Sequence, residues 1–300
     1  MPERVSRQLA QSVFQTLVYS DIFDYPLTAE EIHHYLTGMT ASLDEVDRVL
    51  GTDSRFTKTG RYFTLRGRES IVSLRDQREL HSQQRMRYAL RYGRILGSLP
   101  FVRMVALTGS LAVLNDSKDA DFDYMLVTRP HRLWTARAFV LLFGRLTKLF
   151  GHTICPNLIV TENCLEWHQR DLYSAREFCQ MIPITGHDVY QALMKKNEWI
   201  KEYLPNAYQQ LRNSPRKHKA LVLQRLLELP LRGKPGNRLE QWEMKRKVAR
   251  FSKQEGFGEE TRFNEEICQG NFDHHKCWVE QRFQSRLLAA ALHVSVPDSV

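Results

Sequence analysis

The stretch at residues 108–128, TGSLAVLNDSKDADFDYMLVT, decides how we interpret this chain. Its end, residues 122–128, is rich in apolar and β-prone side chains and predicts a buried strand, and the apolar run at 102–107 predicts another. The connection between them is polar and ends in three aspartates at alternate positions: Asp119, Asp121 and Asp123. The sequence therefore predicts two strands whose connection concentrates negative charge where the second strand begins.

Asp121 and Asp123 are two positions apart at the start of the predicted strand. Side chains at positions i and i+2 of a strand point to the same face, so we expect these carboxylates side by side. Two such groups repel each other, and a divalent cation removes that repulsion. Mg²⁺ commonly binds one or two protein carboxylates together with water and substrate phosphates. The pair predicts a metal site, and we expect Asp119 in the turn before it.

Gly109 and Ser110 follow the first predicted strand. A glycine at the end of a strand lets the backbone approach a ligand closely. Ser110 offers a hydroxyl and a backbone N–H at the start of a short predicted helix, where phosphate binds favourably. Ten residues separate Ser110 from Asp121. We expect two neighbouring strands to bring a phosphate site and a metal site together.

This pattern of Gly-Ser, ten residues and Asp-x-Asp within a strand resembles the nucleotidyltransferase superfamily, which has the polymerase-β-like fold. The resemblance covers residues 84–165, and its motif lies within 108–127. It implies that Gly109 and Ser110 contact the phosphates of a nucleoside triphosphate such as ATP, and that Asp121 and Asp123 bind Mg²⁺ (or Mn²⁺). The implied reaction transfers a nucleoside monophosphate to an acceptor and releases pyrophosphate.

Members of the superfamily usually supply a third acidic residue from the next strand, which is predicted here at 156–161. The position that we align with it is Asn157, which cannot accept a proton as a carboxylate does. Glu162, at the far end of the same strand, is the other candidate for the third position. The departure at Asn157 leaves open whether the protein is an enzyme.

Several basic or amide side chains are further candidates for the substrate site. Arg129, Arg132 and Arg137 stand near the start of the helix predicted at 132–150, and we expect them near the triphosphate. Arg176, together with Asn197 and Asn206, is a candidate for the border of a substrate cleft.

Residues 1–68 predict a separate module. Two capping boxes, Thr28 with Glu31 and Ser42 with Glu45, begin short helices, and two β-prone runs flank Thr59-Gly60. Three helices followed by a hairpin resemble a winged-helix module. The third helix is acidic, and acids in a DNA groove repel the phosphates. We therefore favour a structural or partner-docking role for the module over DNA binding.

We expect three regions: the winged-helix-like module at 1–68, a nucleotidyltransferase domain at 69–165 that begins with a linking helix at 69–97, and a helical C-terminal region at 166–300. The predicted fold class is α+β with a small mixed sheet.

The composition limits the function classes. The formal charge is +9, and twelve Lys or Arg residues face three acids within 212–250. Such a block favours a polyanionic acceptor such as RNA, although solvated helix faces give the same pattern. Five cysteines without a C-x-x-C pair favour a reducing compartment. No membrane span or secretory signal is predicted, so we expect a cytoplasmic protein.

The sequence thus favours an Mg²⁺-dependent nucleotidyltransferase acting on RNA, a protein or a small molecule. The alternative is a non-catalytic protein on the same fold, which binds a nucleotide or docks on DNA or a partner. A carboxylate beside Asp121 and Asp123 would favour the enzyme.

Overall fold

The computed structural model describes residues 3–118, 120–210 and 222–294, so Asp119 and part of the basic block at 212–250 lie outside the described residues. The N-terminal module has three helices and an antiparallel hairpin: α1 (Glu3–Asp21), α2 (Ala29–His34), α3 (Leu43–Thr52), β1 (Phe56–Thr59) and β2 (Tyr62–Leu65). Both predicted capping boxes are formed, at Thr28 with Glu31 and at Ser42 with Glu45. They start α2 and α3 because each satisfies backbone N–H groups that the helix leaves unpaired.

The module has its own apolar core, and the end of the chain contributes to it. Val13, Leu27 and Val46 are fully buried within this core. Phe283 and Leu287, near the C-terminus, pack against it. The module is therefore joined to the rest of the molecule by apolar packing and not only through the chain connection.

The middle of the chain alternates helices and strands. Its elements are α4 (Ile71–Gly97), β3 (Val102–Leu107), α5 (Gly109–Ala112), β4 (Phe122–Thr128), α6 (Leu133–Lys148) and β5 (Ile154–Thr161). The predicted linking helix and both predicted strands of the motif are present, and β4 has the predicted bounds. The predicted helix after Ser110 is only four residues long.

The C-terminal region is mainly helical, as predicted, but it also contains strands that the sequence did not predict. Its elements are α7 (Leu172–Gln180), β6 (Ile182–Thr185), α8 (His187–Lys196), α9 (Ile200–Tyr203), α10 (Pro205–Gln209), α11 (Val222–Glu228), a 3-10 helix (Leu229–Leu231), α12 (Lys234–Phe251), β7 (Thr261–Phe263), β8 (Ile267–Gly270) and α13 (His275–Val294). None of the helices within the described ranges combines the length and apolar character that a bilayer crossing requires.

One sheet joins the middle and C-terminal regions, with the strand order β6-β3-β4-β5-β8-β7. The pair β4 and β5 is parallel, and the other pairs are antiparallel. The predicted α+β class with a mixed sheet is therefore confirmed, although β6, β7 and β8 make the sheet larger than expected.

Both faces of the sheet are buried, which explains why β3 and β4 are continuous apolar runs. Met125 and Val127 of β4 pack in the cluster that includes Phe178 of α7, whereas Leu126 packs on the opposite face with Leu133 of α6. Asp123 belongs to the alternating set of Met125 and Val127. The strand therefore directs Asp123 toward the side of the sheet that α7 covers.

Candidate functional site

Gly109 and Asp123 meet where β3 ends and β4 begins. The backbone N–H of Thr108 donates to the carbonyl of Asp123 at 2.9 Å. Gly109 has a φ of +68°, and a Cβ built on it would lie 2.4 Å from Oδ2 of Asp123. Only glycine adopts this backbone without strain and leaves room for the carboxylate. The close neighbour of the Gly109 backbone is thus the aspartate of the motif, whereas the sequence analysis expected a ligand there.

The connection between the two strands is held by a buried ion pair. The Ser110 hydroxyl donates to Oδ1 of Asp116 at 3.0 Å, and Arg85 of α4 pairs with the same carboxylate. The Asp116 side chain has no exposure, and burial raises its pKa while Arg85 opposes that rise. Arg85 also donates to the carbonyl of Ala120. Helix α4 thus positions both ends of the connection that carries the motif.

The motif opens onto a cavity of about 540 Å³. This volume is typical of small-molecule sites, at roughly 300–1,000 Å³. Three parts of the chain form the wall: the module with Tyr19 and Tyr35, the motif and the residues after it, and residues 260–276. Five residues that the sequence predicted for the site line the cavity: Gly109, Ser110, Asp123, Asn157 and Arg176.

Asp123 is the carboxylate of the predicted pair that lines the cavity. It is half-buried, and burial raises its pKa to about 7. The thiol of Cys155 donates a hydrogen bond that opposes this rise, whereas the charge of Asp121 adds to it. Asp121 itself lies just before β4, is exposed and is not part of the wall. The charge of Asp121 thus acts on Asp123, but the two carboxylates do not share the cavity, whereas the sequence predicted them side by side on one face.

Glu177 of α7 is a second acidic group in the cavity wall, and the sequence analysis missed it. Burial raises its pKa to about 7, and the charge of Asp123 adds to the rise. Its side chain reaches the cavity while protein surrounds its other sides. A charged pair, Arg176 and Glu177, within an otherwise apolar helix was the signal available in the sequence. Arg176 was predicted at a cleft border, and it does line the cavity.

The two candidates for the third position are separated along β5. Asn157 is the fourth of the eight residues of the strand and lines the cavity. Glu162 follows the end of the strand, where its backbone N–H donates to the carbonyl of Thr128 at 3.0 Å. Because β4 and β5 are parallel, Glu162 lies beside the end of β4 and away from Asp123. The structure therefore does not bring Glu162 to the motif.

None of the three predicted arginines lines the cavity. Arg129 and Arg132 follow β4, six or more residues beyond Asp123, which corresponds to about 20 Å along a strand. Arg132 is buried against the ring of Phe101. Arg137 packs on the ring of Phe251 at 5.1 Å. The prediction that these arginines lie near the triphosphate was wrong for a simple reason. A helix that follows a strand begins at the strand's last residue, whereas Asp123 lies at its start.

Asn197 and Asn206 have structural roles. The side chain of Asn197 is fully buried, accepts from the backbone N–H of Trp167 and donates to the carbonyl of Leu165. Asn206 donates to the carbonyl of His33 in the module. Neither side chain lines the cavity.

The oxygen donors at the motif suit Mg²⁺ or Mn²⁺ in a site with few protein ligands. Mg²⁺ usually binds one or two carboxylates and completes its shell with water and phosphate oxygens. Within the described residues, no three His, Cys, Asp or Glu side chains are grouped to hold a metal by themselves. Asp123, with the exposed Asp121 two residues before it, therefore fits a metal that arrives with a phosphate ligand, and not one held entirely by protein.

Comparison with family models, with curated proteins and with solved structures finds no match to this chain. The geometry of the site therefore carries the functional argument by itself.

Proposed function

We propose that this protein is an Mg²⁺-dependent nucleotidyltransferase that transfers a nucleoside monophosphate from a nucleoside triphosphate to an acceptor. The observation that carries the proposal is the contact between Gly109 and Asp123 at the mouth of the cavity. It brings the Gly-Ser turn and a carboxylate suited to a metal to one point of the cavity wall. The order of strand, Gly-Ser, short helix and strand with Asp-x-Asp supports a polymerase-β-type arrangement.

In this proposal Asp123 and Asp121 hold the metal, and Gly109 and Ser110 contact the phosphates. The bound Mg²⁺ would neutralise phosphate charge and orient the triphosphate. Glu177 lines the same cavity as Asp123 and is the candidate to accept a proton from the acceptor. Asn157 supplies an amide that can orient the acceptor. The carboxylate missing from β5 is thus replaced by one from α7.

The cavity favours a small-molecule acceptor over RNA. Its wall is closed on several sides by the module, α7 and residues 260–276, and its volume of about 540 Å³ suits one small molecule beside a triphosphate. A polyanion such as RNA needs an open basic groove.

For a winged-helix-like module, a structural role fits the observations better than DNA binding does. Its residues Tyr19, Tyr25 and Tyr35 form part of the cavity wall. Asp44 and Asp47 are exposed on α3, the helix that would enter the DNA groove. Their charges would repel phosphate, as the sequence predicted.

The proposal is tested by measuring pyrophosphate release from each nucleoside triphosphate with Mg²⁺ or Mn²⁺ and a fractionated small-molecule extract. We expect release by the wild type and a loss of at least about 100-fold in Asp123→Asn. Asp47→Asn, an exposed aspartate of α3, is the matched control and should keep full activity.

The alternative is a non-catalytic nucleotide-binding protein, and Asn157 at the usual position of the third acid favours it. In that case the wild type binds a nucleoside triphosphate, Asp123→Asn binds it less well, and no pyrophosphate is released with any fraction. Measuring nucleoside triphosphate binding together with pyrophosphate release therefore distinguishes the enzyme from the non-catalytic protein.

A further inference from the structure

Arg176 is the most buried cation in the cavity wall. It lies on α7, its exposed fraction is 1%, and it lines the cavity. Its guanidinium carbon is 4.4 Å from the ring centre of Tyr35 and 4.9 Å from that of Tyr19. Two aromatic rings of the module therefore contact the guanidinium group.

This cation has no anionic partner among the described residues. Its Nε and Nη2 atoms are buried and have no hydrogen-bond partner, and no carboxylate of the described ranges forms an ion pair with it. Arg75 provides a contrast, because it is also buried against a tyrosine ring but pairs with Glu31 at 2.8 Å. Asp123 and Glu177 line the same cavity, yet neither pairs with Arg176.

A buried cation without a partner is costly, since it has lost its water and gained no anion in exchange. Burial accordingly lowers the pKa of Arg176. Contacts with the aromatic rings offset part of the cost. They do not satisfy the in-plane N–H groups, which need oxygen acceptors.

The unpartnered atoms define the shape of the missing group. In a guanidinium, the Nε–H and one Nη2–H point in the same direction and form a fork. A carboxylate or a phosphate accepts both bonds at once through two oxygens. In the structure these nitrogen atoms are shielded from water, so a ligand reaches them only if the cavity wall shifts.

We propose that the cavity binds a small organic acid, with its single carboxylate or phosphate group paired to Arg176 and its apolar body against the aromatic wall. The wall near this end contains Tyr25, Trp167 and Phe178 besides the two tyrosines that contact Arg176. A triphosphate would bring several charges to one buried cation, and the excess charges would remain unpaired. One acid group on an apolar body matches both the charge and the surface.

This site does not depend on nucleotidyl transfer, and its test contains neither metal nor nucleotide. Binding of benzoate, 2-naphthoate and phenyl phosphate is measured by calorimetry and thermal shift in EDTA. Benzamide and inorganic phosphate are the probes that lack either the charge or the apolar body. We expect saturable binding of at least one organic acid, and much weaker binding of benzamide and of inorganic phosphate.

Variants of Arg176 decide which residue carries the binding. Arg176→Met should weaken the binding of the organic acid about 30-fold or more. The affinity of Arg176→Lys should lie between those of the wild type and Arg176→Met, because lysine keeps the charge but loses the fork of two N–H groups. Arg170→Met removes an exposed arginine two residues before α7 begins and should bind as the wild type does.

The free protein gives an independent readout. Arg176→Met should unfold at the same temperature as the wild type or higher, because it removes an uncompensated buried charge. Absence of binding by any organic acid overturns the proposal, as does equal binding of benzamide. Equal affinity in Arg176→Met, or a fall of its unfolding temperature by several degrees, overturns it as well. A failure of Arg176→Met to fold counts as such a fall and overturns the proposal in the same way.

Discussion

Position 109 and Asp123 are so close that a Cβ on residue 109 would lie 2.4 Å from a carboxylate oxygen of Asp123. The glycine and the aspartate therefore have to be considered as one unit. The backbone bend at Gly109 exists beside Asp123, and the carboxylate occupies the space that a side chain would take. Any substitution at Gly109 must move Asp123 or the end of β3.

Gly109→Ala should lower the free energy of unfolding by about 2–4 kcal/mol, from the positive φ and from the steric conflict with Asp123. Gly60→Ala is the matched control, because Gly60 also has a positive φ of +61° but nothing lies within 4 Å of its built Cβ. It should lose only about 1 kcal/mol. Urea denaturation measures the free energy of unfolding of both variants. Equal losses of stability in the two would contradict the close contact between position 109 and Asp123.

Asp116→Asn should lower the free energy of unfolding by about 3 kcal/mol, because it leaves Arg85 without its buried partner. Glu166→Gln breaks the exposed pair with Arg170 and should change the stability by less than about 1 kcal/mol. Chemical denaturation of the two variants compares them directly. A loss at Asp116 no larger than that at Glu166 would show that the connection is not held by this ion pair.

Glu177→Gln should stabilise the protein at pH 8 and have little effect at pH 4.5. The pKa of Glu177 is raised to about 7 in the folded protein from the ordinary 4.5. The folded state therefore holds the proton more tightly, and this contribution to stability is complete below about pH 4.5 and is lost as the pH rises to about 7. Glutamine resembles the protonated acid at every pH, so the gain at pH 8 is about 2 kcal/mol.

Asp123 is present in both proteins, so the comparison reports the charge on Glu177 together with its interaction with Asp123. Glu202→Gln, at an exposed position of α9, should stay within about 0.5 kcal/mol of the wild type at both pH values. Denaturation curves at the two pH values provide the measurement. A gain for Glu177→Gln that is as large at pH 4.5 as at pH 8 would argue against the raised pKa.

Mg²⁺ with a non-hydrolysable nucleoside triphosphate should raise the unfolding temperature of the wild type by about 5 °C at saturation. The shift should disappear in Asp123→Asn and on addition of EDTA. It should persist in Asp47→Asn, which changes an exposed aspartate far from the motif in the chain. A shift of equal size in Asp123→Asn would exclude Asp123 as a metal ligand.

Local patterns predicted the local structure well. The capping boxes at Thr28 and Ser42, the hairpin at Thr59-Gly60 and the strand at Phe122–Thr128 are all present. Each depends on residues that are close in sequence, such as a cap and its partner three positions later. The strands β6, β7 and β8 were missed because they are only three or four residues long, and β6 and β8 join the sheet by pairing with distant strands.

The candidate site was predicted only where it is local. The approach of Gly109 to Asp123 follows from one connection between neighbouring strands. Glu177 reaches the cavity because α7 packs over the sheet, and no spacing in the chain encodes that packing. The positions of Arg129 and Glu162 depend on the direction in which β4 and β5 run, which the motif alone does not reveal.

The cavity wall combines residues from the first forty positions, from the middle of the chain and from beyond position 260. A fragment that contained only residues 69–165 would keep the whole Gly-Ser and Asp-x-Asp motif but would lose most of the enclosure around it. The motif therefore lies within one continuous segment of the chain, whereas the pocket forms only when three separate parts of the chain come together. Ligand selectivity in this protein is a property of the complete assembled chain, so changes in the module should alter what binds even though they lie far from the motif in sequence.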